Sequence, residues 1–461
     1  MATLSLGEIA RRTGGKVLQG SPALEVRSYG IDSRQASPGE LFFAVAGKRD
    51  GHDFISAAAD AGAAGAVISR SVTVAQPGFG LVQVPDVVAA LQELARSLLS
   101  NWPVKVVGIT GSIGKTTTKE FTAELLSSRL SVLKSEGNFN NQLGLALSLL
   151  RVEARHQAVV LEMGMNAPGE IRALTRVAPP DIAVITNVRP VHLQFFGSLE
   201  AIALAKKEIL DGAKAGAAAV LNRDDPLVMK MAEGFPGPKV TFGLSPRSEI
   251  RADGLRRKGY EGLEFRLTFG KDKARVAFPF VNESHVPNLL AAVGVCRALG
   301  LSLADIVPRI AALKPFSMRG VLVDLVGDIH LYDDSYNSSP MALDAALRSL
   351  GVLKSKRKVA VLADMLELGE SAQEFHRQAG EAVVRTGWDV LITVGPLALS
   401  IAEGAAKAGM PQAKVHSFPD SDSAAERIAD LLREGDLVLV KGSRGMKTEK
   451  IMARLKTRER K

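Results

Sequence analysis

The chain has 461 residues, 46% hydrophobic, 23% charged and 5% aromatic, with a formal net charge of +9. That length suits two to four domains, and so large a hydrophobic share excludes a disordered chain. No apolar run reaches the ~20 residues of a membrane-spanning helix, and residues 1–15 lack the apolar stretch of a secretory signal. The single cysteine, Cys296, excludes a disulfide framework and a multi-cysteine zinc site and fits a reducing cytoplasm. The positive charge leaves three kinds of partner open: nucleic acid, an acidic membrane surface, or anionic small molecules.

Residues 1–85 read as a small α/β unit, with a strand at 41–46 (LFFAVA), an Ala-rich helix at 54–66 and a further strand from 66. Residues 87–99 have helical apolar spacing and lead into a second unit, 86–315. There the continuously apolar segments 104–109, 158–162, 181–187 and 217–222 predict strands of a parallel sheet buried on both faces. The segments between them are long enough for crossover helices. Residues 264–269 and 275–281 alternate with period 2, which predicts an antiparallel addition, and 288–299 predicts a helix. A third α/β unit, 316–461, has strand candidates at 329–333, 359–362, 390–394 and 437–440. No repeat of 20–50 residues occurs, which argues against a solenoid.

The strongest local signal is GITGSIGKTTT at 108–118, after an apolar strand and before a helix expected at 119–126. This is the context of a phosphate-binding loop: Gly111, Ser112, Ile113, Gly114, Lys115, Thr116 and Thr117 would turn backbone N–H groups and a helix N-terminus toward phosphate. Lys115 would reach the β/γ-phosphates and the Thr116 hydroxyl would ligate Mg²⁺. The loop is a variant, because the strict spacing requires Gly where Ile109 stands. Glu162 closes the strand after the loop's helix, and His192 follows the strand after that. In open parallel sheets, sites lie beyond the carboxyl ends of the strands, so both are candidate metal or phosphate residues.

Beyond these local signals, TGSIGKTTTKEF (110–121), GNFNNQLGLALSLL (137–150), LEMGMNAPGEI (161–171), ITNVRPVHLQFFGSLEAI (185–202), AKKEI (205–209), DDSYNSSPMA (333–342), LADMLELGE (362–370) and VLVKGSRGMKTEKI (438–451) together resemble the Mur ligase family. These are the ATP-dependent amino-acid and peptide ligases of peptidoglycan synthesis. LEMGMNAPGEI, DMLELGE, KGSRGMKTE and the N-terminal DSRQASPGELFFAVAGKRDGHDF (32–54) look like the branch that adds D-alanyl-D-alanine to UDP-N-acetylmuramoyl-tripeptide. The resemblance implies three domains: a small α/β UDP-binding domain, a central P-loop ATPase domain with a parallel sheet and an antiparallel addition, and a C-terminal Rossmann-like α/β domain. It implies ATP with two Mg²⁺ ions, and a cytoplasmic monomer that binds neither nucleic acid nor membrane.

By the same resemblance, Lys115, Thr116, Glu162 and His192 line the ATP and Mg²⁺ site, and Asn138, Asn140 and Asn141 lie on its substrate side. Lys206 matches the family lysine that CO₂ carbamylates into a metal ligand. By themselves, Lys206 and Lys207 read as two solvated lysines on a helix. Asn288, Arg319, Asp334, Tyr336 and Asn337 would contact the nucleotide; Lys441, Ser443 and Arg444 would hold the incoming dipeptide or the acyl end. Ser33, Arg34 and Gly51-His52-Asp53 would form the uridine-diphosphate pocket. Three departures stand out. Ser284-His285 replaces the family's His-Asn, Met318-Arg319-Gly320 replaces its Gly-Arg order, and Ser335, Ser338 and Ser339 occupy positions where Cys or Ala, Ala and Asn are usual. The rival reading of the charge, a P-loop ATPase acting on nucleic acid, needs basic stripes interleaved with stacking aromatics. Four Tyr and two Trp, dispersed, do not supply them.

Overall fold

A computed structural model describes residues 3–190 and 196–457. Three α/β sheet systems follow one another along the chain. In the first, Lys16–Gln19, Gly80–Gln83, Gly65–Ile68, Glu40–Phe43 and Ser28–Gly30 lie side by side, parallel except for the first pair. The ELFF strand is buried on both faces. Leu41 and Phe43 join a core shared with helix Val87–Leu99, while Phe42 and Ala44 pack on Ile55 and Ala58. That alternation follows from side chains pointing to opposite faces at successive strand positions. The Ala-rich segment is shorter than expected: a 3₁₀ turn, Gly51–Phe54, precedes helix Ile55–Asp60.

The second sheet has nine strands. From one edge they are Val132–Lys134, Ala158–Glu162, Lys105–Thr110, Ile182–Ile185, Ala218–Asn222 and Lys239–Gly243, all parallel. Ile250–Arg257 pairs parallel to the last of these, and Leu263–Phe269 and Asp272–Phe278 then add antiparallel. The last strand ends before Pro279, three residues short of the expected end, since proline has no N–H for a ladder. Chain order reverses at Lys105–Thr110, so the P-loop emerges at a switch point of the sheet. Register aligns Glu162 with Ile109 and Ile185 with Thr110, which brings the segments after both neighbouring strands level with the loop.

The third sheet runs Val321–Leu325, Ile329–Asp333, Asp436–Lys441, Arg357–Ala363, Val390–Val394 and Val415–Phe418. Only its first pair is antiparallel. Apolar helices cover both faces: Leu343, Leu347 and Val383 pack on one, Ile428, Ile451 and Leu455 on the other. The outer strand Val415–Phe418 (VHSF) is half-polar, and Val321–Leu325 (VLVDL) is interrupted by the exposed Asp324, so neither forms a continuous apolar run. Among the described residues, no helix is long and apolar enough to cross a membrane. Cys296 is buried in helix His285–Ala298 and burial pushes its thiol up, so it takes no chemical role.

Candidate active site

The P-loop helix spans Lys115–Leu126, one turn earlier than expected, with Gly114 at its N-cap. Gly114 has φ +86°, and a Cβ built on it would lie 2.1 Å from Asn288 Oδ1. Only glycine meets both the left-handed backbone and this close packing. Asn288 therefore touches the loop itself. The neighbouring strand ends brace the loop: Asn187 Oδ1 accepts from Ile113 N (3.0 Å), Thr186 Oγ1 donates to Ile113 O (2.7 Å), and Arg189 N donates to Ser112 Oγ (2.8 Å). Asn187, at the strand end next to the P-loop on the side opposite Glu162, is a site residue that sequence reasoning missed. Its position after an apolar run, like that of Glu162, was the available signal.

Lys115 Nζ donates to the carbonyls of Gly111 (2.9 Å) and Ser112 (3.2 Å), curling over the loop. Thr116 Oγ1 donates to Glu162 Oε2 (2.7 Å), and Asn140 Nδ2 donates to Glu162 Oε1 (2.9 Å). One buried carboxylate thus joins the P-loop helix to the asparagine loop. Asn141 caps helix Gln142–Leu149 by accepting from Gly144 N (2.9 Å), and Asn138 is exposed beside them. The oxygen-only pair Thr116 and Glu162 suits Mg²⁺, which keeps several waters and binds through one or two carboxylates plus substrate phosphates. No group of three or more His, Cys, Asp or Glu is placed to hold a metal among the described residues. His192 lies outside the described residues.

Lys206 and Lys207 separate cleanly. Lys207 is 37% exposed and ion-paired with Asp211, whereas Lys206 is 2% exposed and has no hydrogen bond or ion pair with any described residue. Burial first, and then the Lys115 charge, hold the Lys206 amine well below the usual lysine range. Burial also lowers Lys115, with Glu162 opposing and Arg319 adding to the effect. The fold therefore gathers Lys115, Thr116, Asn140, Glu162, Lys206, Asn288 and Arg319 around the P-loop.

The C-terminal candidates meet at the carboxyl edge of their own sheet. Lys441 is buried and donates to Asp334 Oδ2 (2.5 Å) and Asn337 O (3.0 Å), so the DDSYNSSP and KGSRG segments form one cluster. The Arg319 guanidinium stacks 3.9 Å from the centre of the Tyr336 ring, with Arg444 at 5.9 Å. Ser443 Oγ accepts from Leu366 N (2.9 Å), a loop-holding contact. Gly320, at φ +75°, leaves room for His285 Nε2 and Tyr332 OH, each within 3 Å of where a Cβ would be.

Burial pushes the His285 imidazole down to about 4, with Asp334 opposing and Lys441 and Arg319 assisting. The unfolded chain therefore takes up this proton first as pH falls. His285 contributes stability that is complete above the unfolded value of 6.5 and lost on going down to about 4. The loss amounts to about 3 kcal/mol. Buried His376 acts in the same direction. We expect the urea midpoint to fall across this window and His285→Gln to flatten the fall, as denaturation at pH 7, 5.5 and 4.5 will read.

In the first unit, Ser33–Gln35 and Gly51–Phe54 follow adjacent parallel strands and so share one sheet edge. Arg34 forks onto Asp32 (2.8 and 2.7 Å) and points outward. His52 has both ring nitrogens engaged: Nδ1 with Asp50 Oδ1 (2.6 Å) and Nε2 with Ser69 N (2.9 Å). It therefore holds the turn that presents Gly51 and Asp53. Among the described residues no hydrogen bond or ion pair joins these turns to the P-loop.

Comparison with known proteins agrees with this geometry. The family models "Mur ligase family, catalytic domain", "Mur ligase middle domain" and "Mur ligase, glutamate ligase domain" match residues 25–99, 109–296 and 318–444. The UDP-N-acetylmuramoyl-tripeptide--D-alanyl-D-alanine ligase of Bacillus subtilis (strain 168) is 34% identical over 93% of this chain and 92% of its own. The chain belongs to the Mur ligase family. The fold agrees at full length. A crystal structure of MurF from Acinetobacter baumannii superposes with a TM-score of 0.90, at 28% identity over 99% of each chain. MurF ligase from Thermotoga maritima, solved in complex with ADP, gives 0.82 at 32% identity, covering 94% of this chain and 98% of that one. The three-domain α/β architecture expected from the sequence is thus the architecture of these Mur ligases.

Proposed function

We infer that the chain is an ATP-dependent, ADP-forming ligase that joins D-alanyl-D-alanine to UDP-N-acetylmuramoyl-tripeptide, giving UDP-N-acetylmuramoyl-pentapeptide for peptidoglycan synthesis. The observation that carries the chemistry is the P-loop around which Lys115, the Thr116–Glu162 pair, buried Lys206 and Arg319 converge. Full-length similarity to ligases of that name carries the substrates. A carboxylate is a poor electrophile, because its charge repels nucleophiles and oxide leaves badly. Its oxygen attacks the γ-phosphorus, the bond to the ADP oxygen breaks, and an acyl phosphate forms. The dipeptide amine then attacks the acyl carbon, phosphate leaves, and the amine gives up its proton. Such transfers need positioning and charge neutralisation more than covalent help from the protein.

Lys115 and the P-loop amides hold the β- and γ-phosphates, and Arg319 on Tyr336 meets the nucleotide from the C-terminal side, with Asn288, Asp334 and Asn337. Mg²⁺, when bound, neutralises phosphate charge and orients the reacting oxygens. Thr116 and Glu162 would hold one ion, and His192 with carbamylated Lys206 a second. Carbamylation requires a neutral amine: the nitrogen lone pair attacks CO₂ and the N–H proton leaves. A buried Lys206 beside the Lys115 cation is poised for that reaction, and exposed Lys207 is not. Asn138 and Asn140 lie on the acyl side. Residues 1–85 bind the uridine diphosphate through Ser33, Arg34, Gly51 and Asp53; residues 86–315 bind ATP. Residues 316–461 close over it as a monomeric enzyme's lid and hold the dipeptide through Lys441, Ser443 and Arg444. Closure excludes the water that would hydrolyse the acyl phosphate.

Phosphate release measured with several UDP-muramoyl peptides, crossed with D-alanyl-D-alanine and single amino acids, tests this reading. Release should require ATP, the tripeptide and the dipeptide together. Turnover with diaminopimelate or lysine on a dipeptide acceptor would instead make it a different addition enzyme.

A further inference from the structure

Lys119 is fully buried, yet it ends in an ammonium. It sits one turn beyond Thr116 on the P-loop helix, and no role in phosphate binding accounts for it, because its Nζ is taken up by backbone carbonyls outside the loop. Its Nζ donates to Ser135 O (2.7 Å) and Gly137 O (3.0 Å), and Glu120 lies 3.1 Å away. Burying a lysine this completely is costly unless its donors are matched by fixed acceptors. Here the acceptors belong to the segment after strand Val132–Lys134, which leads directly to Asn140. Ser135 also accepts from Glu162 N (3.3 Å), and its own N–H donates to Val160 O (3.0 Å). Asn140 in turn donates to Glu162 Oε1 while its carbonyl accepts from Gly164 N (2.9 Å).

One helix therefore grips Glu162 twice: directly through Thr116, and indirectly through Lys119, the 135–137 backbone and Asn140. We propose that Lys119 is a positioning residue for the metal–nucleotide site, fixing the 135–140 segment so that Asn140 orients the Glu162 carboxylate. The proposal rests on the reading that Glu162 and Thr116 hold the Mg²⁺ of MgATP. Outer-shell partners that orient a ligating carboxylate matter to affinity, and their loss typically weakens metal binding about 10- to 100-fold.

The test is a Mn²⁺ titration, read by electron paramagnetic resonance, of the full chain with a non-hydrolysable ATP analogue. Wild type, Lys119→Met, Asn140→Ala and the double variant are compared, with circular dichroism confirming the fold. We expect Lys119→Met to weaken Mn²⁺ about 10-fold or more. The double variant should bind no worse than the weaker single one, because Lys119 acts through Asn140. Unchanged affinity in folded Lys119→Met, or losses that simply multiply, would overturn the proposal. Should Lys119→Met not fold, Lys119→Gln, whose amide nitrogen stops one atom short of the Nζ position and so falls short of the Ser135 and Gly137 carbonyls while staying polar, is scored by the same two criteria. Failure of wild type itself to bind Mn²⁺ with the analogue would strike the metal-site reading instead.

Discussion

Lys115→Ala is expected to abolish ATP-dependent ligation, lowering kcat/KM by about 10³-fold or more, since preorganised charge on the transferring phosphoryl group is the main catalytic resource of such sites. The geometry explains the severity. Lys115 is held over the loop by the carbonyls of Gly111 and Ser112, so its Nζ is already at the rim where phosphate arrives. Burial makes the unliganded ammonium uncomfortable, as its lowered pKa shows, and an arriving phosphate relieves that cost. Alanine removes the charge without disturbing the Gly114 turn or the Thr116–Glu162 contact, so the fold should survive. Phosphate release and thermal melting measured on the same preparation would separate the two effects. Near-native turnover would remove Lys115 from the mechanism.

Lys206→Ala should lower kcat about 100-fold or more, as loss of a metal-orienting group does. The distinctive expectation is chemical rescue: formate or acetate, filling the space of the carbamate, should restore part of the activity, while Lys207→Ala should behave like wild type. The physical basis is the contrast between the two neighbours. Lys206 is buried with no hydrogen bond or ion pair among the described residues, and burial holds its amine well below the usual lysine range, whereas Lys207 is partly exposed and paired with Asp211. Full activity in Lys206→Ala would refute the role. Inactivation without rescue by any small carboxylate would point to a structural lysine.

Much of this site was legible because its signals are local. A glycine-rich turn between an apolar strand and a helix can be recognised from consecutive residues, since the backbone itself makes the phosphate site. Glu162 could be placed from the end of one apolar run. Long-range relations were not legible in the same way. That Asn187 braces Ile113, or that Lys441 is buried against Asp334, depends on which strands lie side by side, and the sequence separations are 74 and 107 residues. A half-polar edge strand such as Val415–Phe418 (VHSF) escaped because none of its residues is fully buried and no continuous apolar run forms.

The positive charge met at the outset divides along the same line. From its residues alone the chain declares three α/β units, a phosphate loop, a carboxylate at a strand end and one cysteine with nothing to do. Those are properties of short stretches, set by backbone geometry and apolar periodicity. Which lysines matter is a tertiary decision. Adjacent positions on a helix point about 100° apart, so Lys206 is buried while Lys207 meets water. Lys115 and Lys119 share a helix face one turn apart, and only the neighbouring segments send one to the loop carbonyls of Gly111 and Ser112 and the other to the 135–137 backbone. Burial is fixed by what packs against each face, and no amount of local pattern contains that.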